Sequence, residues 1–378
     1  MKKSRLAGAA ATTAAVLLVA GLAACAPPEK KREGEQTQSG VNASQATSAE
    51  DFGGMDALVD AAKKEGQLNV IALPPDWANY GAIIKAFGDK YGIKVNSAQP
   101  DAASQDEINA ATQQKGKSSA PDVFDLGQSV ALTNTAMFAP YKVATFDDIP
   151  AAYKNPDGTW VNDYGGYMSI GFDSAKVPPV TDVNDLLKPE YNGKVSLNGD
   201  PTQAGAAFSG VLMVALSQGG SVDDIGPGVE FFRKLKAAGN FLPVDPTPAT
   251  IESGQTPVVI DWNYLNGNEI AKLPSWQVFV PPNAVVAGYY YQAINKNAPH
   301  PAAARLWQEF LYSDEGQNLF AAGGVRPVRA DQMLQAGTID KAAVNKIPVI
   351  DGPVTVPSPD QTDKATKYLA DNWAKAVG

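Results

Sequence analysis

An α/β fold of two lobes is predicted by three features of the 378-residue sequence. Short apolar runs alternate with stretches whose apolar residues recur at helical spacing. The segment 68–95 holds a strand, a helix and a second strand, which is the pattern of a right-handed parallel crossover. Two distant runs, Tyr167 to Phe172 and Tyr289 to Ile294, read as strands crossing between the lobes. The length suffices for two domains, and 44% apolar with 19% charged residues is ordinary for a globular chain.

Residues 1–24 start with Lys2, Lys3 and Arg5, pass through an Ala/Val/Leu run and finish in small residues before Cys25. That layout is a secretory signal peptide, too short and alanine-rich for a membrane span. Residues 25–53 are expected as a linker. From Ala26 to about Ser48 they are Pro, Glu, Lys, Gln, Ser, Gly and Asn, with almost no large apolar side chain to order them. Fully extended, such a tether reaches on the order of 70 Å.

The first part of lobe 1 is assigned to 54–166. A helix near Met55 to Glu65 is stopped by Gly66, and a strand follows from Leu68 to Leu73. The loop Pro74 to Asn79 leads into a helix with Tyr80, Ile83, Ile84, Phe87 and Tyr91 on one face. Gly92 ends it, and Ile93 to Val95 begins the next strand. Ser104 with Glu107 three residues on reads as a capping box, and Pro121 to Leu126 as a buried strand. Lobe 2 is assigned to 167–287, with strands Lys194 to Leu197 and Pro257 to Asp261 and helices reaching Leu216 and spanning Asp223 to Ala238. The return to lobe 1 and the closing helices occupy 288–378. A helix starts at Pro301 with Ala303, Leu306, Trp307, Phe310 and Leu311 on one face, and another starts at Ser313.

The net charge is −9 and includes the leader's three cations, which argues against a nucleic-acid partner. One cysteine and one histidine exclude an intrachain disulfide and a Cys/His zinc set. His300 lies between two prolines and reads as an exposed turn residue, so no Ser/His/Asp triad is expected.

In open α/β sheets, ligands sit beyond the carboxyl ends of the strands. Four loops there supply the candidate ligand-binding residues. The first holds Trp77, Asn79 and Tyr80, with Asp76 beside them. Gln128 and Ser129 follow a strand directly. Asp200, Thr202 and Gln203 open a helix whose free N–H groups can hold an anionic oxygen, the ordinary alternative being helix capping. Asp261, Trp262 and Tyr264 follow the strand at 257–260, Tyr164 lies in a loop with Asp163, Gly165 and Gly166 ahead of the first crossing, and Tyr289 and Tyr290 come from the return crossing. Rings together with Asp76, Asp163 and Asp261 favour an organic cation. A hydrolase using Asp163 and Asp261, or a ligand sensor, stays open as an alternative.

The run from Gly288 to Arg329 carries a tyrosine-rich strand, a Lys-Asn-Ala-Pro-His-Pro turn, then PxAAxLWxEFLxSxEGQ and GGVRPVR. It resembles the extracellular solute-binding proteins of bacterial ABC importers, in the group that carries polyamines, ferric iron, phosphonates and thiamine. The resemblance implies a type II periplasmic-binding-protein fold, with mainly parallel sheets flanked by helices and a ligand cleft between lobes. It also implies a monomer without enzymatic activity or cofactor, working with a permease and an ATPase. Leu22-Ala23-Ala24-Cys25 resembles the bacterial lipobox, which implies a lipid on Cys25 and an extracytoplasmic, membrane-anchored protein. Trp77 and Tyr80 are similar to the Trp-x-x-Tyr entry loop of polyamine-binding members, whose acidic residue in the strand matching Tyr289 to Ile294 is replaced here by Tyr and Gln. Iron-binding members place a tyrosine pair near 261–264, and this chain has Tyr264 alone.

Overall fold

The computed structural model describes residue 40, residues 42–345 and residues 354–378. The expected signal peptide, Cys25 and the linker up to residue 39 lie outside the described residues. No described helix is long and apolar enough to cross a membrane.

Residues 42–53 correct the expected linker. Ala43, Ala46, Ala49 and Phe52 are all buried, and single turns of 3-10 helix form at Ala43–Gln45 and Ala49–Phe52. Extended backbone at Ala46 and Ser48 separates the two turns, and all four side chains enter the same core. Alanines contribute too little apolar signal for a composition-based reading to notice them.

Strands β1 (Gln67–Ile71) and β2 (Lys94–Ala98) pair in parallel around helix α2 (Tyr80–Tyr91), as the crossover predicts. Helix α1 (Met55–Glu65) precedes them and ends at Gly66 with φ +73°. Helix α3 (Ser104–Gln113) leads into β3 (Val123–Leu126), and helix α4 (Gln128–Thr133) into the short β4 (Phe138–Ala139). The predicted capping box is not made. Asp106 accepts the Ala103 N–H at 3.1 Å, while Ser104 and Glu107 accept the Gly127 and Asp125 N–H groups, each at 3.0 Å. Those two side chains tie α3 to the end of β3.

Strand β5 (Val161–Asp173) absorbs the expected loop at 163–166 through a register shift between Asn162 and Gly165. Its first half pairs with β9 (Ala287–Asn295), and its second half pairs with β7 (Val258–Trp262) and β8 (Trp276–Phe279). This one strand therefore crosses between the lobes. Among the described residues β9 pairs only with β3, β4 and the first half of β5, so the return is made upstream of the predicted 289–294. Parallel pairing joins β6 (Val195–Leu197) to β7 and β1 to β2, whereas both long strands run antiparallel to their neighbours.

Helices α5 (Gly205–Ser217), α6 (Gly226–Ala237), α7 (Pro248–Glu252) and α8 (Asn263–Glu269) flank the second lobe. Helices α9 (Pro301–Leu311) and α10 (Asp314–Ala322) return to the first, followed by β10 (Arg326–Pro327), α11 (Ala330–Ala336), α12 (Lys341–Val344) and α13 (Pro359–Val377). α9 is buried on every side from Ala302 onward. Its polar residues are matched in the interior: Arg305 donates to Ala46 O (2.7 Å) and Ser44 O (3.0 Å), and Glu309 accepts from the Tyr141 hydroxyl (2.8 Å). The segment 42–53 thus covers Arg305 on that helix, and residues 141–144 cover Glu309.

Candidate functional site

A cavity of about 820 Å³ lies between the lobes, below the loop 72–79 on one side and residues 198–206 and 245–272 on the other. Its floor is built by Asp125 near the end of β3, Asp261 near the end of β7, and Tyr290 of β9. That is the place where α/β sheets bind ligands.

The loop over the cavity holds unusual backbone. Ala72, Ala78 and Asn79 have φ of +55°, +47° and +69°, a region side chains rarely adopt. Strain of about 1–3 kcal/mol per residue persists only where surrounding contacts fix it. Asn79 Nδ2 donates to Leu319 O at 2.8 Å, and Gly323 packs against Ala78 and Asn79 so closely that a Cβ there would sit 2.8 Å from them. The result aims Trp77 into the cavity.

Trp77 meets Tyr264 and Tyr290 edge-on, with centroids 6.1 and 5.5 Å apart. Tyr290 stacks on Tyr164 at 5.4 Å and 11°. Beneath these rings runs a relay: Trp77 Nε1–H donates to the Tyr164 hydroxyl (2.7 Å), which donates to Asp125 Oδ2 (2.8 Å). Asp125 Oδ1 is buried without a hydrogen-bond partner among the described residues, and Asp125 is only 6% exposed. On the facing lobe, Asp261 Oδ2 accepts from Asn198 Nδ2 (2.7 Å) and Oδ1 from the Trp262 N–H (2.7 Å).

The cavity walls carry nine carboxyl side chains and one lysine. That lysine, Lys272, lies 3.4 Å from Glu252 and 3.5 Å from Glu269, so its charge is already matched. Burial pushes the Asp125 and Asp261 carboxyls up to about 7. Glu107 is raised well above the usual carboxylate range by burial and then by the charge of Asp125. Burial likewise raises the Tyr264 and Tyr290 phenols, which remain neutral.

Of the residues singled out from sequence, Trp77, Asn79, Asp200, Gln203, Asp261 and Tyr290 line this cavity, as does Asp76. Tyr80, Tyr164, Trp262 and Tyr264 are buried in the packing behind it. Gln128 instead donates to Pro357 O (3.0 Å), and Ser129 accepts a bond from Thr133 through its backbone oxygen, both outside the cavity. Thr202 is bonded to Asp200 Oδ1, and Tyr289 packs on Tyr153 at 4.5 Å, so neither reaches the cavity. Asp163 is buried beneath Tyr80, whose hydroxyl donates to it at 3.3 Å, so the Asp163 and Asp261 pair considered for hydrolysis is not assembled. His300, expected to be exposed, is 2% exposed: its Nδ1 shares a 2.8 Å hydrogen bond with Asp122 and its Nε2 accepts from Gln67.

Asp125, Glu107, Asn198 and Glu269 were not singled out from sequence. A signal for the first existed, because an aspartate inside a strand buried on both faces needs a partner or a ligand. Asp122 immediately precedes that strand and Asp125 lies within it, and of the two Asp122 finds full partners in Asn69 and His300.

The fold is similar to that of the periplasmic binding protein P5PA, at 18% identity and a TM-score of 0.66, over 83% of this chain and all of that one. It is also similar to a ferric binding protein from Campylobacter jejuni (18% identity, TM-score 0.61, 82% of this chain and 99% of that one). A third similar structure is the periplasmic binding protein AfuA from Actinobacillus pleuropneumoniae with fructose-6-phosphate bound (16% identity, TM-score 0.64, 82% and 98% covered). Residues 121–349, more than half of the chain, match the family described as bacterial extracellular solute-binding proteins. With a cleft between two lobes and that match, the chain belongs to the bacterial extracellular solute-binding proteins, binding proteins for import across the membrane rather than enzymes.

Proposed function

We propose that this protein captures a small amine-bearing organic cation, of which polyamines are one kind, and hands it to an ABC permease. The observation that carries the reading is the charge of the cavity: nine carboxyl groups against one lysine already matched by Glu252 and Glu269. Trp77 and Tyr290 add ring surfaces to which a cation is attracted by about 0.5–2 kcal/mol each. A solute touching both lobes favours their closure by the difference in its affinity for the closed and open states. The working unit is a monomer, held outside the cytoplasm by a lipid on Cys25. The folded body begins by Asn42, so the tether is shorter than the composition suggests.

One observation favours an anionic solute instead. Helix α5 starts at the cavity with no side-chain cap, and AfuA was crystallised with a sugar phosphate. Against it stands like-charge repulsion from the surrounding carboxylates. Phosphonates and ferric iron, carried by other members of the resembled group, meet the same wall of charge or require phenolates that these buried tyrosines do not supply. Calorimetric titration of the mature protein with putrescine, spermidine, thiamine, 2-aminoethylphosphonate and ferric citrate tests the reading. Heat from the cations alone is expected, and heat from only the phosphonate or the iron salt ends the proposal.

A further inference from the structure

Resting on the cation reading, we infer that Asp125 and Asp261, one from each lobe, form the ammonium seat of this site, and that a bound cation displaces protons from them into solvent. Both line the cavity and are 6% and 5% exposed. Asp125 Oδ1 is buried with no partner among the described residues, an unfavourable condition that a bound donor would relieve. The other buried carboxyls nearby differ: Asp122 is satisfied by Asn69 and His300, and Asp163 lies behind Tyr80, away from the cavity.

The surroundings of each group contain no cation among the described residues. Asp125 is faced by Glu107 of α3, Tyr80 of α2, Tyr164 and Asp163 of β5, and Tyr290 and Gln292 of β9. Asp261 is faced by Asn198 after β6, by Trp262 and Tyr264, and by Tyr290. The Tyr290 phenol feels the charge of both, and all three residues line the same cavity. Within so acidic a setting an ionised carboxylate has only hydrogen bonds to stabilise it. Burial accordingly raises both to about 7, so near neutrality each is protonated part of the time. An ammonium group reverses that balance: it keeps its own protons, each carboxyl ionises against it, and the carboxyl protons pass to water and buffer.

Two titratable seats of this kind release roughly one proton in total per solute bound at pH 7. The apparent affinity then weakens up to about 100-fold between pH 8 and pH 6. The experiment is titration of the mature protein with putrescine, spermidine and thiamine at pH 6, 7 and 8, in buffers of low and high ionisation enthalpy. A binding heat that differs between buffers by about one proton's worth, with the stated pH dependence, supports the inference. Asp125→Asn and Asp261→Asn are each expected to remove about half of the proton release and to reduce the pH dependence to about tenfold. Cation binding with buffer-independent heat and constant affinity overturns this inference and leaves the cation reading standing. Failure of all three cations to bind overturns both. The wild-type protein decides the matter by itself should a variant fail to fold.

Discussion

Between β3 and α5, the two halves of the cavity touch backbone to backbone: a Cβ added at Gly205 would lie 3.0 Å from the Gly127 Cα. Neither side offers a flexible side-chain end that could give way, so Gly205→Ala has to move the elements apart by a few tenths of an ångström. Overpacking of that kind costs about 1–3 kcal/mol. The expected outcome is cation binding weakened about tenfold in calorimetry, with melting held within about 2 °C because alanine also favours the helix. Affinity equal to wild type would show that the contact is not part of the closed state. Tyr164→Phe probes the same region differently: it strips Asp125 of a donor and leaves the Trp77 N–H unpaired, and about 1–3 kcal/mol of stability should disappear in urea unfolding.

Among the elements, α9 shows how far periodicity carries and where it stops. Its apolar face, Ala303 through Leu311, is read directly from spacing and is buried as expected. The same periodicity predicts solvent on the other face, where Arg305, Gln308 and Glu309 are in fact enclosed. Arg305 is covered by residues 42–53 and Glu309 by residues 141–144, while Gln308 donates to Gln292 of β9, all of them remote in sequence. Burial lowers the Arg305 guanidinium to about 10, and the Ala46 and Ser44 carbonyls hold it in place. Phe52→Ala is expected to cost about 3–5 kcal/mol and Arg305→Ala about 2–4 kcal/mol, both read from urea unfolding midpoints. Losses below about 0.5 kcal/mol would mean that the segment lies loosely on α9. The capping residues fared similarly: Ser313 caps α10 as its sequence suggests, while Ser104 and Glu107, in an equally good motif, are drawn away to β3. A local motif loses when a tertiary partner offers a buried N–H.

For the whole molecule, the buried carboxyls make a pH signature. Glu65, Asp125 and Asp261 are all raised to about 7, chiefly by burial. A carboxyl whose folded-state value exceeds its unfolded value binds its proton more tightly in the folded protein. Its contribution is therefore complete below about pH 4 and is lost as the pH rises toward and through 7. Asp185, lowered to about 2 by its bonds to Lys188 and the Thr181 and Asp182 N–H groups against opposing burial, acts oppositely and only in stronger acid. The ligand-free protein should therefore melt higher at pH 5 than at pH 8, by on the order of 5 °C in a calorimetric scan. A flat or rising profile over that range would show the three carboxyls to be ionised and solvated.

The sequence alone determined the α/β class, the strand-helix-strand opening, the helix boundaries set by Gly66, Gly92 and Ser313, and the kinship implied by the run from Gly288 to Arg329. Those are consequences of local sterics and short-range periodicity, which neighbouring residues settle among themselves. Only the tertiary structure decided that the return crossing lies upstream of β9, that residues 42–53 cover α9, and that Asp125 faces a cavity while Asp122 does not. Each depends on what a distant segment brings to within hydrogen-bonding reach, and burial, which sets the charge of the site, exists only once the chain has folded.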